Sequence, residues 1–86
     1  MQVQEIPLKQ IHRPLPRATD QTKVAALMDS IQEIGLQQPI DVLEVDGKYY
    51  GFSGCHRFEA CTKLGHKTIR CNVRKAPRSV LLKHLA

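Results

Sequence analysis

The segment Tyr49-Tyr50-Gly51-Phe52-Ser53-Gly54-Cys55-His56-Arg57 carries the chain from a strand into a helix. Its aromatic first part suits a strand, and the run that follows has helical character as far as Gly65. The pattern therefore places Cys55 at the start of a helix. Free backbone N–H groups and the positive end of the helix dipole meet there, so the site favours an anion, either a bound phosphate or the thiolate of Cys55.

The next two residues add hydrogen-bond donors to this anion site. Arg57 supplies a planar fork that matches phosphate oxygens, and His56 is expected to act as a neutral donor because the dipole disfavours a cation there. Plainer alternatives remain open: His56 could bond a nearby carbonyl, Arg57 could pair with Asp41 or Glu59, and Cys55 could be only a small residue tolerated at a helix start. The glycines beside Cys55 favour a functional site.

Working outward, the pattern predicts the element order β, α, β, β, α, β, α in one domain spanning residues 1–86. This is a small α+β fold with a mixed sheet and helices packed on it. Asp46-Gly47 predicts a hairpin turn, because both residues tolerate left-handed backbone. The predicted elements are an edge strand Val3–Leu8, a helix capped by Thr19 or Asp20 and ended by Gly35, strands Ile40–Val45 and Lys48–Phe52, a helix Cys55–Leu64, a strand Thr68–Val73 and a helix from Pro77 to Leu85.

The first helix carries two kinds of face. Apolar residues recur at helical spacing and are predicted to be core: Val24, Leu27, Met28, Ile31 and Ile34. Lys23 and Ser30 lie two turns apart on another face, which could admit a flat ligand or could simply be solvated.

Composition limits the function further. Eighty-six residues support only a small core, so we expect a shallow site and a large partner. The net charge of +5 predicts an anionic partner. Three cysteines cannot all pair in one chain, and we find no leader and no apolar run long enough for a membrane, so we expect a reducing cytoplasm, or a plastid if a transit peptide was removed.

Spacing argues against three other kinds of site. The loop lacks the Lys and hydroxyl residue of a Walker A motif, and Cys61 occupies the position at which a cysteine-dependent phosphatase loop carries Arg. No closely spaced cysteine pair suggests zinc, so no metal ligands are predicted. Cys61 and Cys71 are expected to be packed thiols.

Three motifs in the same order resemble the sulfiredoxin family: Arg13-Pro14-Leu15-Pro16, Pro39-Ile40-Asp41-Val42-Leu43 and Phe52-Ser53-Gly54-Cys55-His56-Arg57. The resemblance covers almost the whole chain. It implies ATP-dependent, magnesium-assisted repair of hyperoxidised 2-Cys peroxiredoxin through a sulfinic phosphoryl ester, with Mg²⁺ carried by the nucleotide. The cysteine matching Cys55 then forms a thiosulfinate, which an external thiol such as glutathione or thioredoxin resolves; the free chain is expected to be a monomer.

The resemblance also implies roles by position. Cys55 and Arg57 would be catalytic, Asp41 would brace Arg57, and Leu15, Leu43 and Phe52 would contact the peroxiredoxin. Ala26 and His84 depart from the hydroxyl residue and the tyrosine of animal members. The residues expected to hold or adjoin the nucleotide are Arg13, Asp20, Lys23, Ser30, Gly54, Cys55, His56 and Arg57.

Two other functions stay open. The fold resemblance extends to ParB-type domains, which makes a nucleotide- or DNA-binding module or a nuclease, without thiol chemistry, the main alternative. Its support is the positive charge, and the sequence lacks a helix-turn-helix pattern, an aromatic stacking run and a basic tail. A structural adaptor, in which Cys55 is unreactive, is the third.

Overall fold

The computed structural model describes residues 2–14 and 18–85, with the side chains of all but residues 84 and 85. Within these residues the chain forms five strands and three α-helices. The strands are β1 (Gln2–Pro7), β2 (Ile11–His12), β3 (Ile40–Val45), β4 (Lys48–Gly51) and β5 (Thr68–Lys75), and the helices are α1 (Gln21–Ile34), α2 (Cys55–Lys63) and α3 (Arg78–Leu85). A short 3₁₀ turn, Leu8–Gln10, joins β1 to β2.

The five strands form one mixed sheet in the order β1-β5-β3-β4-β2. β1 is antiparallel to β5, β3 is parallel to β5 and antiparallel to β4, and β2 is parallel to β4. The predicted mixed sheet and the edge position of the first strand are confirmed. The two-residue strand β2 was not predicted, and it matters for the site because it places Arg13 beside the end of β4.

The predicted hairpin between β3 and β4 is confirmed. Asp46 and Gly47 have φ values of 52° and 76°, the left-handed pair that such a two-residue turn requires. β4 ends at Gly51, one residue before its predicted end at Phe52. β5 continues to Lys75, two residues beyond its predicted end at Val73. The hairpin therefore delivers residues 52–54 directly to the start of α2.

Helices α1 and α2 cover one face of the sheet. Val24 and Ile31 of α1 and Ala60 and Cys61 of α2 pack on the inward side chains of the strands, which are Ile6, Ile11, Ile40, Val42, Ile69, Cys71 and Val73. The alternation predicted for β5 is confirmed. The prediction that Ile34 is core was wrong: it is 61% exposed, because it is the last residue of α1 and Gly35 turns the chain away from it.

Helix α3 covers part of the opposite face. Leu81 packs with Leu43 and Val45 of β3, and Arg78 donates two hydrogen bonds to Asp46, at 2.6 and 3.2 Å. Leu43 was expected on an open apolar surface, whereas it is only 8% exposed because α3 lies against it. Among the described residues, no helix has the length and apolar character needed to cross a bilayer.

Candidate active site

The site is built on the first turn of α2, where Gly54 is the N-cap residue. Its backbone is left-handed, with φ 70° and ψ 31°, and a Cβ atom there would lie 2.5 Å from Cγ2 of Ile40. Glycine is therefore required both by conformation and by space. The first helical hydrogen bond runs from the N–H of Phe58 to the oxygen of Gly54, so the amides of residues 55–57 have no partner within the helix.

Arg13 contacts the sulfur of Cys55. Its Nη2 donates to Cys55 Sγ at 2.9 Å, and its Nη1 donates to the carbonyl of Ser53 at 2.8 Å. The guanidinium also lies over the ring of Phe58, 4.9 Å from the ring centroid. Because a guanidinium is always charged, Arg13 is placed to stabilise negative charge on this half-buried sulfur.

His56 is fixed by the residue that caps α1. The backbone N–H of Asp20 donates to His56 Nε2 at 3.1 Å, which assigns the proton of the neutral ring to Nδ1. The Asp20 carboxylate accepts from the amides of Thr22 and Lys23, so Asp20 rather than Thr19 is the N-cap. Asp20 thus adjoins the site through its amide, while its carboxylate is used by the helix.

A polar cluster on Glu59 holds the segment before α1 against α2. Thr19 Oγ1 and Gln21 Nε2 each donate to the Glu59 carboxylate at 2.8 Å, and Lys63 bonds both Gln21 and Glu59. The hydrogen bonds from Gln21 and Thr19, with a smaller effect from Lys63, lower the pKa of Glu59. The cluster keeps the Asp20 amide opposite His56.

Arg57 is held by backbone oxygens. Its Nη1 donates to the carbonyls of Gln38 and Pro39, at 3.2 and 2.9 Å, which ties α2 to the segment before β3. The brace expected from Asp41 is not observed: Asp41 accepts from Asn72 at 3.4 Å, and the described residues contain no ion pair between Asp41 and Arg57. Carbonyls replace it because Asp41 lies on the sheet face opposite α1 and α2, whereas its neighbours Ile40 and Val42 face the helices.

These groups open into a pocket of about 420 Å³ between α1, residues 35–38 and the start of α2. Five predicted nucleotide residues line it: Ser30, Gly54, Cys55, His56 and Arg57. The others are Leu27, Ile31, Gly35, Leu36, Gln37 and Gln38. Lys23, exposed on the first turn of α1, is not in the lining, and Arg13 reaches Cys55 from the β2 side.

Sequence reasoning missed the wall formed by residues 35–38. Two of its four residues are glutamines and one is a leucine, and neither type marks a ligand site by itself. The carbonyls that hold Arg57 carry no signal in the sequence either, since every residue has one. The weak available signal was position, because this segment links the end of α1 to a buried strand.

The other two cysteines are core residues, as predicted. Cys61 is 1% and Cys71 0% exposed. Burial raises the pKa of Cys61, and burial together with the neighbouring Cys61 raises the pKa of Cys71 to about 11. Neither thiol can reach the pocket without unfolding of the core.

The expected partner surface is only partly in view. Leu15, with the rest of the connector at residues 15–17, lies outside the described residues. Phe52 is half-buried against the cluster of Leu43, Val45 and Leu81. Among the described residues, no group of three or more His, Cys, Asp or Glu side chains is arranged to hold a metal ion.

Comparison with known proteins identifies the fold. Residues 1–85 match the ParB N-terminal domain. The C-terminally truncated chromosome-partitioning protein ParB from Caulobacter crescentus, complexed with CTP-γ-S, has a TM-score of 0.74 at 29% identity, over 88% of this chain and 46% of that one. The chain thus has the fold of the ParB N-terminal domain.

Other relatives identify the family to which the chain belongs. The chloroplastic/mitochondrial sulfiredoxin of Arabidopsis thaliana is 63% identical over 83 residues, covering 94% of this chain and 66% of that protein. Its crystal structure gives a TM-score of 0.97 at 59% identity, over 100% and 99% of the two chains. Sulfiredoxin from Saccharomyces cerevisiae is 33% identical, covering 88% of this chain and 83% of that protein. The chain belongs to the sulfiredoxin family.

Proposed function

We propose that this chain reduces the cysteine sulfinic acid of hyperoxidised 2-Cys peroxiredoxin, using ATP and an external thiol. One observation carries the proposal: Arg13 hydrogen-bonds the Cys55 sulfur at 2.9 Å, beside a pocket lined by free first-turn amides, His56 and Arg57. A nucleophilic sulfur and an anion site thus share one helix start. Family membership supports the same reaction.

The pocket residues suit a nucleotide. A volume of about 420 Å³ falls in the usual range for small ligands, and the apolar wall of Leu27 and Leu36 suits a flat base. The amides of Gly54 and Cys55, the Nδ1–H of His56 and the unused donors of Arg57 would hold the phosphates. The family resemblance assigns Ser30 and Lys23 to the nucleotide as well; Ser30 lines the pocket, whereas Lys23 lies outside the lining on the first turn of α1. Mg²⁺ carried by ATP would neutralise phosphate charge.

Activation is needed because a sulfinate is a poor electrophile. A sulfinate oxygen of the peroxiredoxin attacks the terminal phosphorus, ADP leaves, and the resulting sulfinic phosphoryl ester has a good leaving group on sulfur. The Cys55 thiolate then attacks that sulfur, the bond from sulfur to the bridging oxygen breaks, and inorganic phosphate departs. The product is a thiosulfinate between Cys55 and the peroxiredoxin. Arg13 stabilises the thiolate, and Arg57 the phosphate charge.

An external thiol completes the reaction. Its attack on Cys55 releases the peroxiredoxin cysteine as sulfenic acid and leaves a mixed disulfide on Cys55, which a second thiol reduces. Burial of Cys61 and Cys71 supports an outside donor, such as glutathione or thioredoxin, over an internal one.

The partner would approach from the end of the sheet that carries Phe52. Phe52 and residue Leu15 would contact the peroxiredoxin, whereas Leu43 is covered by α3. A reducing compartment, cytoplasm or plastid, suits the three free thiols, and the free chain is proposed to be monomeric.

The direct test is mass spectrometry of hyperoxidised peroxiredoxin incubated with this chain, ATP, magnesium and thiol. We expect the peroxiredoxin to lose one oxygen from its sulfinic cysteine. Cys55→Ser should abolish that loss while retaining the fold and ATP binding. Full activity of C55S, or oxygen loss without ATP, would refute the proposal.

A ParB-like nucleotide-binding role is the alternative, favoured by the likeness to ParB bound to CTP-γ-S and by the net charge of +5. It predicts binding that does not require a thiol, together with DNA affinity that falls steeply with salt. Calorimetry of wild type and C55S with ATP, CTP and duplex DNA separates the two functions.

A further inference from the structure

We infer that Gly51 is a positioning residue for Cys55, because its missing side chain leaves the space in which the Arg13 guanidinium lies. The inference deepens the proposed function, in that it assumes Cys55 is the nucleophile. Gly51 acts through Arg13, whose guanidinium lies where a side chain at Gly51 would be.

The backbone at Gly51 does not explain a glycine. Gly51 is the buried last residue of β4, paired with Val42 of β3, and its φ lies outside the left-handed region. Glycine within a strand weakens it, so such a glycine often marks a place where another group approaches closely. Any L-residue could adopt this backbone conformation. The need for a glycine at this position must therefore come from the lack of space for a side chain.

The approaching group is the guanidinium. A Cβ atom at Gly51 would lie 2.7 Å from Nη1 of Arg13 and 3.2 Å from Cγ2 of Ile11. The ring of Phe58 is also in contact with the guanidinium. In this position Nη1 reaches the Ser53 carbonyl while Nη2 reaches the Cys55 sulfur. A methyl group at Gly51 would displace Nη1 and break this paired geometry.

Displacement of the Arg13 guanidinium should reduce the reactivity of Cys55 more than it reduces the stability of the fold. Nη1 is the far end of a flexible side chain, so Arg13 can move away, and Ile11 has to shift by only a few tenths of an ångström. Gly51→Ala should therefore fold normally. It should lose the charge-assisted bond to Cys55, which is the stronger kind of hydrogen bond.

The test is the pH profile of Cys55 alkylation by iodoacetamide in the full chain, followed by mass spectrometry. In Gly51→Ala the midpoint of the profile should move up by about one pH unit, the equivalent of roughly a tenfold change in equilibrium. Below the midpoint the rate should fall only about threefold, because a more basic thiolate is more nucleophilic. Lys48→Ala, on the exposed part of β4, should match wild type in both measurements.

A double-mutant cycle decides whether Gly51 acts through Arg13. Arg13→Ala should shift the midpoint at least as far as Gly51→Ala, and adding Gly51→Ala to Arg13→Ala should change nothing more. An unshifted profile in folded Gly51→Ala would overturn the inference, as would equal shifts with and without Arg13. The assay contains neither ATP nor peroxiredoxin, so its outcome is separate from that of the proposed function.

Discussion

At the residue scale, two glycines three positions apart serve different purposes. Gly54 has a left-handed backbone and faces the branched side chain of Ile40, which is 1% exposed and cannot move aside. Gly51 has ordinary strand backbone and faces the guanidinium of Arg13, at the far end of a long side chain. A methyl group at Gly54 should therefore destabilise the fold, whereas a methyl group at Gly51 should reduce the reactivity of Cys55.

We predict that Gly54→Ala lowers the free energy of unfolding by about 2–5 kcal/mol, the sum of left-handed strain and overpacking against Ile40. Urea denaturation followed by circular dichroism measures this loss. Gly51→Ala is the matched control and should unfold close to wild type. Equal stabilities of the two variants would contradict the packing described for Ile40.

Arg57 gives a second prediction at this scale. Its Nη1 is used by the carbonyls of Gln38 and Pro39, which leaves its other donors for phosphate. Arg57→Ala should weaken ATP binding and slow sulfinate reduction by about 10² or more, since it removes both charge stabilisation and the brace on the pocket wall. Arg57→Lys restores the charge but not the fork, so it should recover only part of the rate.

The measurement is turnover against ATP concentration. A normal response to ATP in Arg57→Ala would show that Arg57 has only a structural role.

The residue types at the start of α2 could be predicted to form an anion site because their chemistry is explicit in the sequence. The carbonyl partners of Arg57 could not, since they depend on where the chain folds back.

At the element scale, the Glu59 carboxylate helps to hold the start of α1 and the residue before its cap against α2. The pKa of Glu59 is lowered by Gln21 and Thr19, so its contribution is fully present above the ordinary carboxyl value of about 4.5 and is lost as pH falls through the lowered pKa. We predict that Glu59→Gln is less stable than wild type at neutral pH. The difference should shrink as pH drops below about 4.5.

Thermal melting of both proteins across this pH range tests the prediction. Thr19→Val is a second variant, which removes one donor and keeps the charge. A stability difference that stays constant from neutral to acid pH would mean that the cluster does not depend on ionisation.

The elements with strong local patterns could be predicted, and the others could not. Helices α1 and α2 and the hairpin have caps, periodicity and turn residues of their own. Strand β2 has only two residues, too few for any period, and it exists because β4 offers a free edge. The burial of Leu43 depends on where α3 packs, which no local pattern specifies.

At the scale of the whole molecule, the core contains two neutral thiols whose ionisation is linked to unfolding. The folded pKa of Cys71 is raised from 9.0 to about 11, so the contribution of its neutral thiol to stability is fully present below about pH 9 and is lost as pH rises toward 11. We predict that Cys71→Ala, although less stable at neutral pH because of its cavity, loses less stability over this alkaline range. Urea titrations at several pH values measure both slopes, and parallel slopes would contradict the linkage.

The same core predicts selective labelling. Native protein should react with iodoacetamide at one thiol, Cys55, whereas Cys61 and Cys71 should react only as the whole core opens. Peptide mapping during a urea titration should therefore give a labelling midpoint that coincides with the loss of circular dichroism. Labelling of Cys61 well before that midpoint would mean that α2 detaches separately.

The short strand β2 makes the contact between Arg13 and the Cys55 sulfur sensitive to fraying at the edge of the sheet. Arg13 follows a two-residue strand at the border of the sheet, so fraying of that border would withdraw the cation from Cys55 while the interior stays intact. On heating, the Cys55 thiol would then lose reactivity before the molecule unfolds. The proposed activity should therefore be lost at a lower temperature than the fold. A substitution that stabilises β2 should raise the temperature at which activity is lost without any change in the core.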